Sequence, residues 1–140
     1  MALSYIESET QVEEFLAKVK SILCSNTFDI NRDLNVQISP VAGSPGHKNF
    51  ITLADLNYDI TDVRNVLLSI TVQDYSETLF DNKDVTTPLF RVFGKQLNNK
   101  EVYIKVKIRA DANKQVFCIS FHYAEDEMNK PYAIKGVLKC

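Results

Sequence analysis

Two short stretches hold most of the side chains in this chain that could do chemistry together. In residues 101–109, Glu-Val-Tyr-Ile-Lys-Val-Lys-Ile-Arg, the period is 2: Val102, Ile104, Val106 and Ile108 point one way, and Tyr103, Lys105, Lys107 and Arg109 the other. In residues 115–123 the apolar Phe117, Ile119 and Phe121 alternate with Cys118, Ser120 and His122. If both large apolar sets face one core, Ser120 and His122 emerge on the same face as Tyr103, Lys105 and Lys107. That face would carry cations at a spacing of roughly 6 to 7 Å per pair of residues, close to a nucleic-acid phosphate repeat. An imidazole beside ammonium groups is disposed to stay neutral near pH 7, ready to accept a proton.

Each part has a plainer reading. A wet sheet face should look like this, and lysine also guards strand edges. His122 alone is a strand-end histidine packed against Tyr123, Tyr103 alone a cross-strand packing residue, and Ser120 has no G-x-S-x-G around it. His47, at the end of a loop, reads as a solvated histidine. The combination, not any member, points to chemistry.

The elements that must position these residues follow from pattern. With 140 residues, 45% hydrophobic and 24% charged, the chain is expected to form one domain over residues 1–140 with a core that needs no staples. The sequence holds no run of 18 apolar residues and no signal-peptide pattern at its start, so the expected location is the cytoplasm. Three scattered cysteines and two distant histidines imply neither a disulfide framework nor a metal site, and no cofactor is expected. Cys118, inside an apolar run, should be packed. The net charge is −2, yet residues 91–114 hold 7 Lys and Arg against 2 Asp and Glu, a local +5 that could steer a polyanion.

Residues 8–25 read as an amphipathic helix with Ser8 or Thr10 as N-cap. Alternation over 27–38 suggests one or two short strands broken at 31–33. Pro40, Gly43, Pro45 and Gly46 mark a loop. Two short helices are expected over 50–56 and 61–69, the second capped by Thr61. After Asp74-Tyr75 an acidic loop runs to Pro88. Strands over 89–97 and 100–109 join through Asn98-Asn99, and a turn at 111–114 leads to the strand over 115–123. The expected fold is α+β, an antiparallel three-stranded meander packed by three helices on one side, with residues 128–132 across a sheet edge.

The runs Val92-Phe93-Gly94-Lys95, Lys100 through Ile108 and Val116 through Glu125, preceded by Asn65 through Tyr75, resemble the MqsR-type toxins of bacterial toxin-antitoxin pairs over roughly residues 48–132. The resemblance implies a RelE-like fold and a metal-independent endoribonuclease that cuts mRNA, free or on the ribosome, and is neutralised by a cognate antitoxin protein. The family's strand tyrosine falls on Tyr103, and its basic residue near the end of the last strand on His122. A family lysine after the Asp-aromatic pair is replaced by Glu77. In such cleavage the ribose 2′-OH attacks the adjacent phosphate, so a base, an acid and cations are needed. The candidate catalytic residues are His122 as acid or base, Tyr103 as a positioning or proton-donating group, and Lys105 on the phosphate. Lys107, Arg109, Arg91 and Lys95 would extend an RNA-binding track. The alternative is a catalytically inactive RNA-binding or protein-interaction module with the same fold.

Overall fold

Helix α1, Glu9–Leu23, forms where Val12, Phe15, Leu16, Val19 and Leu23 recur at helical spacing, and all five are buried. Its start is set by Ser8, whose hydroxyl accepts the Gln11 backbone N–H while the Gln11 amide oxygen accepts that of Ser8. The protein is seen in a computed structural model that describes residues 3–80, 89–109 and 114–133. The middle of the acidic loop (81–88) and, apart from Lys114, the turn at 111–114 lie outside the described residues.

Where alternation suggested strands between residues 27 and 38, a four-residue helical turn, α2 (Ile30–Asp33), comes first. The Asp29 carboxylate accepts the backbone N–H groups of Asn31 and Arg32, and this local cap outcompetes an extended ladder. A single strand, β2 (Leu34–Val36), follows. Helix α3 spans His47–Leu56, starting earlier than the apolar pattern alone indicated, and α4 spans Ile60–Ser69. Gly46 opens α3 at φ +89°, and a Cβ there would lie 2.9 Å from the Gln37 carbonyl group, so both conformation and space select glycine. The cap of α4 is Asp59, not Thr61: its carboxylate accepts the Asp62 N–H at 3.0 Å and Asp62 returns the favour to the Asp59 N–H at 2.9 Å.

The sheet is larger than the expected meander. β4 (Phe90–Leu97), β5 (Lys100–Ile108) and β6 (Val116–Tyr123) form its antiparallel centre, joined at Asn98-Asn99 with both residues at positive φ. β3 (Tyr75–Leu79) pairs with β4, the two-residue β1 (Ser4–Tyr5) pairs with β3, and β2 pairs parallel with β6. The order is β1-β3-β4-β5-β6-β2, a mixed six-stranded sheet, and with four helices among the described residues the fold is α+β. None of those helices is long and apolar enough to cross a membrane.

The main core lies between α1, α3, α4 and one face of this sheet, with Tyr75, Phe93, Val102, Ile104, Val106, Cys118 and Phe121 among its fully buried members. Burial pushes the Cys118 thiol up to about 12, so it behaves as an apolar side chain. Phe117 and Ile119 were expected in this core and are not. Pairing between β5 and β6 skips a residue: Lys105 faces Ser120, but Val106 faces Cys118. Ile119 is therefore an inserted residue, a β-bulge that reverses the phase of the strand. Below it Val116 and Cys118 point inward, and Phe117 and Ile119 join Leu79, Phe90 and Val92 in a small apolar cluster on the outer face.

Candidate active-site cleft

A second bulge stands at the same level of the sheet. Tyr75 pairs with Phe93 but Glu77 with Val92, so Ser76 is the inserted residue of β3. The two bulges flank the β4–β5 hairpin and sharpen the local twist on both sides of it. Between them the outer face holds one cross-sheet row, Glu77, Val92, Lys105 and Ser120, and next to it a row of Gly94, Tyr103 and His122. Residues from both rows line an open cleft of about 510 Å³.

The segment after β6 closes one side. Residues 124–130 cross the outer face as a strap, in which Met128 packs on the apolar cluster and Lys130 pairs with Glu101 at 2.8 Å; beyond it the Tyr132 ring packs on the main core, stacked on Tyr75. Gly94 lies directly beneath the crossing, where a Cβ would lie 2.8 Å from the Met128 sulfur and 2.9 Å from Lys130 Cε and these flexible side-chain ends would have to shift. The segment thus crosses the sheet face near its end and supplies Glu125, Asp126 and Glu127 to the cleft.

At the cleft's centre the Tyr103 and His122 rings stack with centroids 5.3 Å apart and planes 13° from parallel. His122 Nδ1 lies 3.0 Å from the Tyr123 carbonyl oxygen. A carbonyl can only accept, so Nδ1 carries the hydrogen and Nε2 is left as the nitrogen that can exchange a proton. Burial, followed by the charge of Glu77, raises the Tyr103 phenol above its ordinary value, so at neutral pH Tyr103 is a donor and not a base. Lys105 lines the same cleft, with Nζ 5.0 Å from the Phe90 ring centroid. Lys48 arrives from α3 and pairs at the rim with Glu125, whose carboxyl it holds below the usual range.

Tyr103, Lys105 and His122 are thus brought together, and the other candidates are not. Lys107 lies farther along the outer face, its Nζ 4.7 Å from the Phe90 centroid, and Arg109 covers Phe117 at 3.9 Å while donating to Gln115. Lys95, paired with Val102, is on the opposite face and binds Asp74 at 3.2 Å. Arg91 is also on the helix side, between the Phe15 ring and the Glu7 carboxylate. A continuous track through Arg91 and Lys95 does not exist, because even spacing along β4 places these residues opposite core positions of β5.

The Glu7–Arg91 pair belongs to the scaffold. Burial alone would raise the Glu7 carboxyl, but hydrogen bonds from Arg91 and Thr78 outweigh it and hold the group below its ordinary value. Its stabilisation is therefore present at neutral pH and lost as the pH falls through the lowered folded value. Glu7 is 5% exposed and Arg91 18%, so breaking the pair is discounted from the fully buried case. We expect Glu7→Gln to cost about 2 kcal/mol at pH 7, read as a lower urea midpoint, with the gap to the parent closing in acid.

Two residues that pattern reasoning did not single out hold β6 in place. Beyond Cys118 strand β2 no longer covers its edge, and α3 takes over. Asn49 donates to the carbonyls of Gln37 at 2.7 Å and Ile119 at 3.0 Å and accepts the Phe121 N–H at 2.8 Å; Thr52 accepts the Tyr123 N–H at 3.2 Å. A polar residue at each of two positions three apart on the inward face of an amphipathic helix was the available signal.

No protein-family model matches the chain, and no curated protein matches it either.

Proposed function

We propose that the protein is a RelE-like, metal-independent endoribonuclease of the MqsR toxin type, which cuts mRNA and is held in check by an antitoxin protein. The observation that carries this reading is the stacked Tyr103–His122 pair, its imidazole locked by the Tyr123 carbonyl, beside Lys105 in an open cleft. In the reaction the 2′-oxygen attacks phosphorus and the 5′-oxygen leaves. His122 Nε2 moves a proton at one of these oxygens, Tyr103 donates to a phosphate oxygen, and Lys105 offsets the charge that builds on the phosphate. The sequence resemblance over residues 48–132 supports the same assignment.

The purified protein, incubated with long RNA in excess chelator, is expected to produce fragments with new 5′-hydroxyl and 2′,3′-cyclic phosphate ends. Intact RNA would overturn the proposal. A second reading, a non-cleaving module, is favoured by the carboxylates of Glu77, Glu125, Asp126 and Glu127 in the cleft and by the engagement of Arg91 and Lys95 elsewhere. It predicts gel-shifted complexes weakened by salt, without new ends.

A further inference from the structure

RNA transesterification needs two proton-transfer groups on opposite sides of the phosphate, and the cleft holds a second one facing His122. The bulge at Ser76 turns Glu77 onto the outer face at the far wall of the cleft. Its side chain is half-buried and, among the described residues, makes no hydrogen bond or ion pair. His122 stands three strands across and two residues along. Ladder spacings put their Cα atoms about 16 Å apart on a flat sheet. Both side chains line the same open cleft, the space in which a ribose and its 3′-phosphate would sit. Tyr103 lies between them.

We propose that Glu77 is the general base and His122 the general acid of the cleavage step, an assignment that rests on the endoribonuclease reading. A Glu77 carboxylate oxygen takes the proton of the 2′-hydroxyl as the 2′-oxygen bonds to phosphorus. The phosphorus–5′-oxygen bond breaks, and the His122 imidazolium gives its Nε2 proton to the departing oxygen. The products are a 2′,3′-cyclic phosphate and a 5′-hydroxyl, with no co-reactant; water then returns the proton from Glu77 to His122. Tyr103 stays protonated and cannot be the base. The charged and titratable groups facing the pair are Tyr103 and Lys105 from β5, Lys48 from α3, and Glu125, Asp126 and Glu127 from the strap.

The test compares ordinary RNA with a substrate carrying sulfur in place of the leaving 5′-oxygen, since a thiolate departs without a proton. Glu77→Gln should cut ordinary RNA about 10²- to 10⁴-fold more slowly and gain nothing from sulfur. His122→Ala should be slowed similarly on ordinary RNA and recover most of the parental rate on the sulfur substrate. Glu77→Asp, which keeps the carboxylate, should recover part of the rate that Glu77→Gln loses on ordinary RNA. Parental cleavage by Glu77→Gln, or sulfur rescue of Glu77→Gln in place of His122→Ala, overturns the assignment while the parent's own cleavage leaves the enzyme reading standing. A parent that cuts neither substrate overturns both.

Discussion

His122→Ala is expected to slow RNA cleavage by about 10²- to 10⁴-fold, the usual worth of one positioned proton-transfer group, while leaving the fold in place. The side chain is half-buried, with a ring stack to Tyr103 and one hydrogen bond to a carbonyl at the strand's end. Little of the core depends on it. Single-turnover rates in excess chelator, paired with a thermal melt, separate chemistry from folding. Parental cleavage by the variant would remove His122 from the mechanism, and with it the argument from the stacked pair.

Asn49→Ala is the substitution with the largest expected effect on stability. It would leave one buried backbone N–H, that of Phe121, and two part-buried carbonyls, those of Gln37 and Ile119, without their partner. At about 1 to 3 kcal/mol for each such group, with water entering the space left by the amide, the loss should be about 3 to 4 kcal/mol. Denaturant unfolding measures it directly. The same change should lower the cleavage rate even where the protein is folded, because Asn49 fixes the backbone one residue before His122. A misplacement of about 1 Å at a reacting group can cost 10²-fold. A stable variant with parental cleavage would mean that the edge of β6 holds itself.

The central hairpin and α1 were legible because their signals are local and regular: strict alternation in residues 101–109, paired asparagines at the turn, and a reciprocal cap at Ser8. β3 was read as loop because the bulge at Ser76 destroys its alternation; Tyr75, Ser76, Thr78 and Leu79 are buried and Glu77 is not. The placement of Phe117 and Ile119 was misread for the same reason, since parity counted down from Phe121 fails at the inserted residue. Ser120 and His122 lie above the bulge, so their face was legible. Arg91 and Lys95 show a different limit. Clustered charge in the sequence does not reveal which face each cation takes, and β4 sends these two toward Glu7 and Asp74. β1, of two residues, carries too little pattern to be seen, whereas β2 falls where the alternation over 27–38 resumes after its break.

Ile119 opposes no residue of its own on β5, and this gives β6 one point of slack. Excising it would splice Cys118 to Ser120 and leave every neighbouring pair matched, with Cys118 still inward and Ser120 still outward. Excising any other interior residue of the strand would force that surplus position to absorb the shift or turn part of the strand inside out. The chain can therefore shorten at this point without exchanging its two faces, and the feature surrendered would be the curvature of the wall beneath the imidazole.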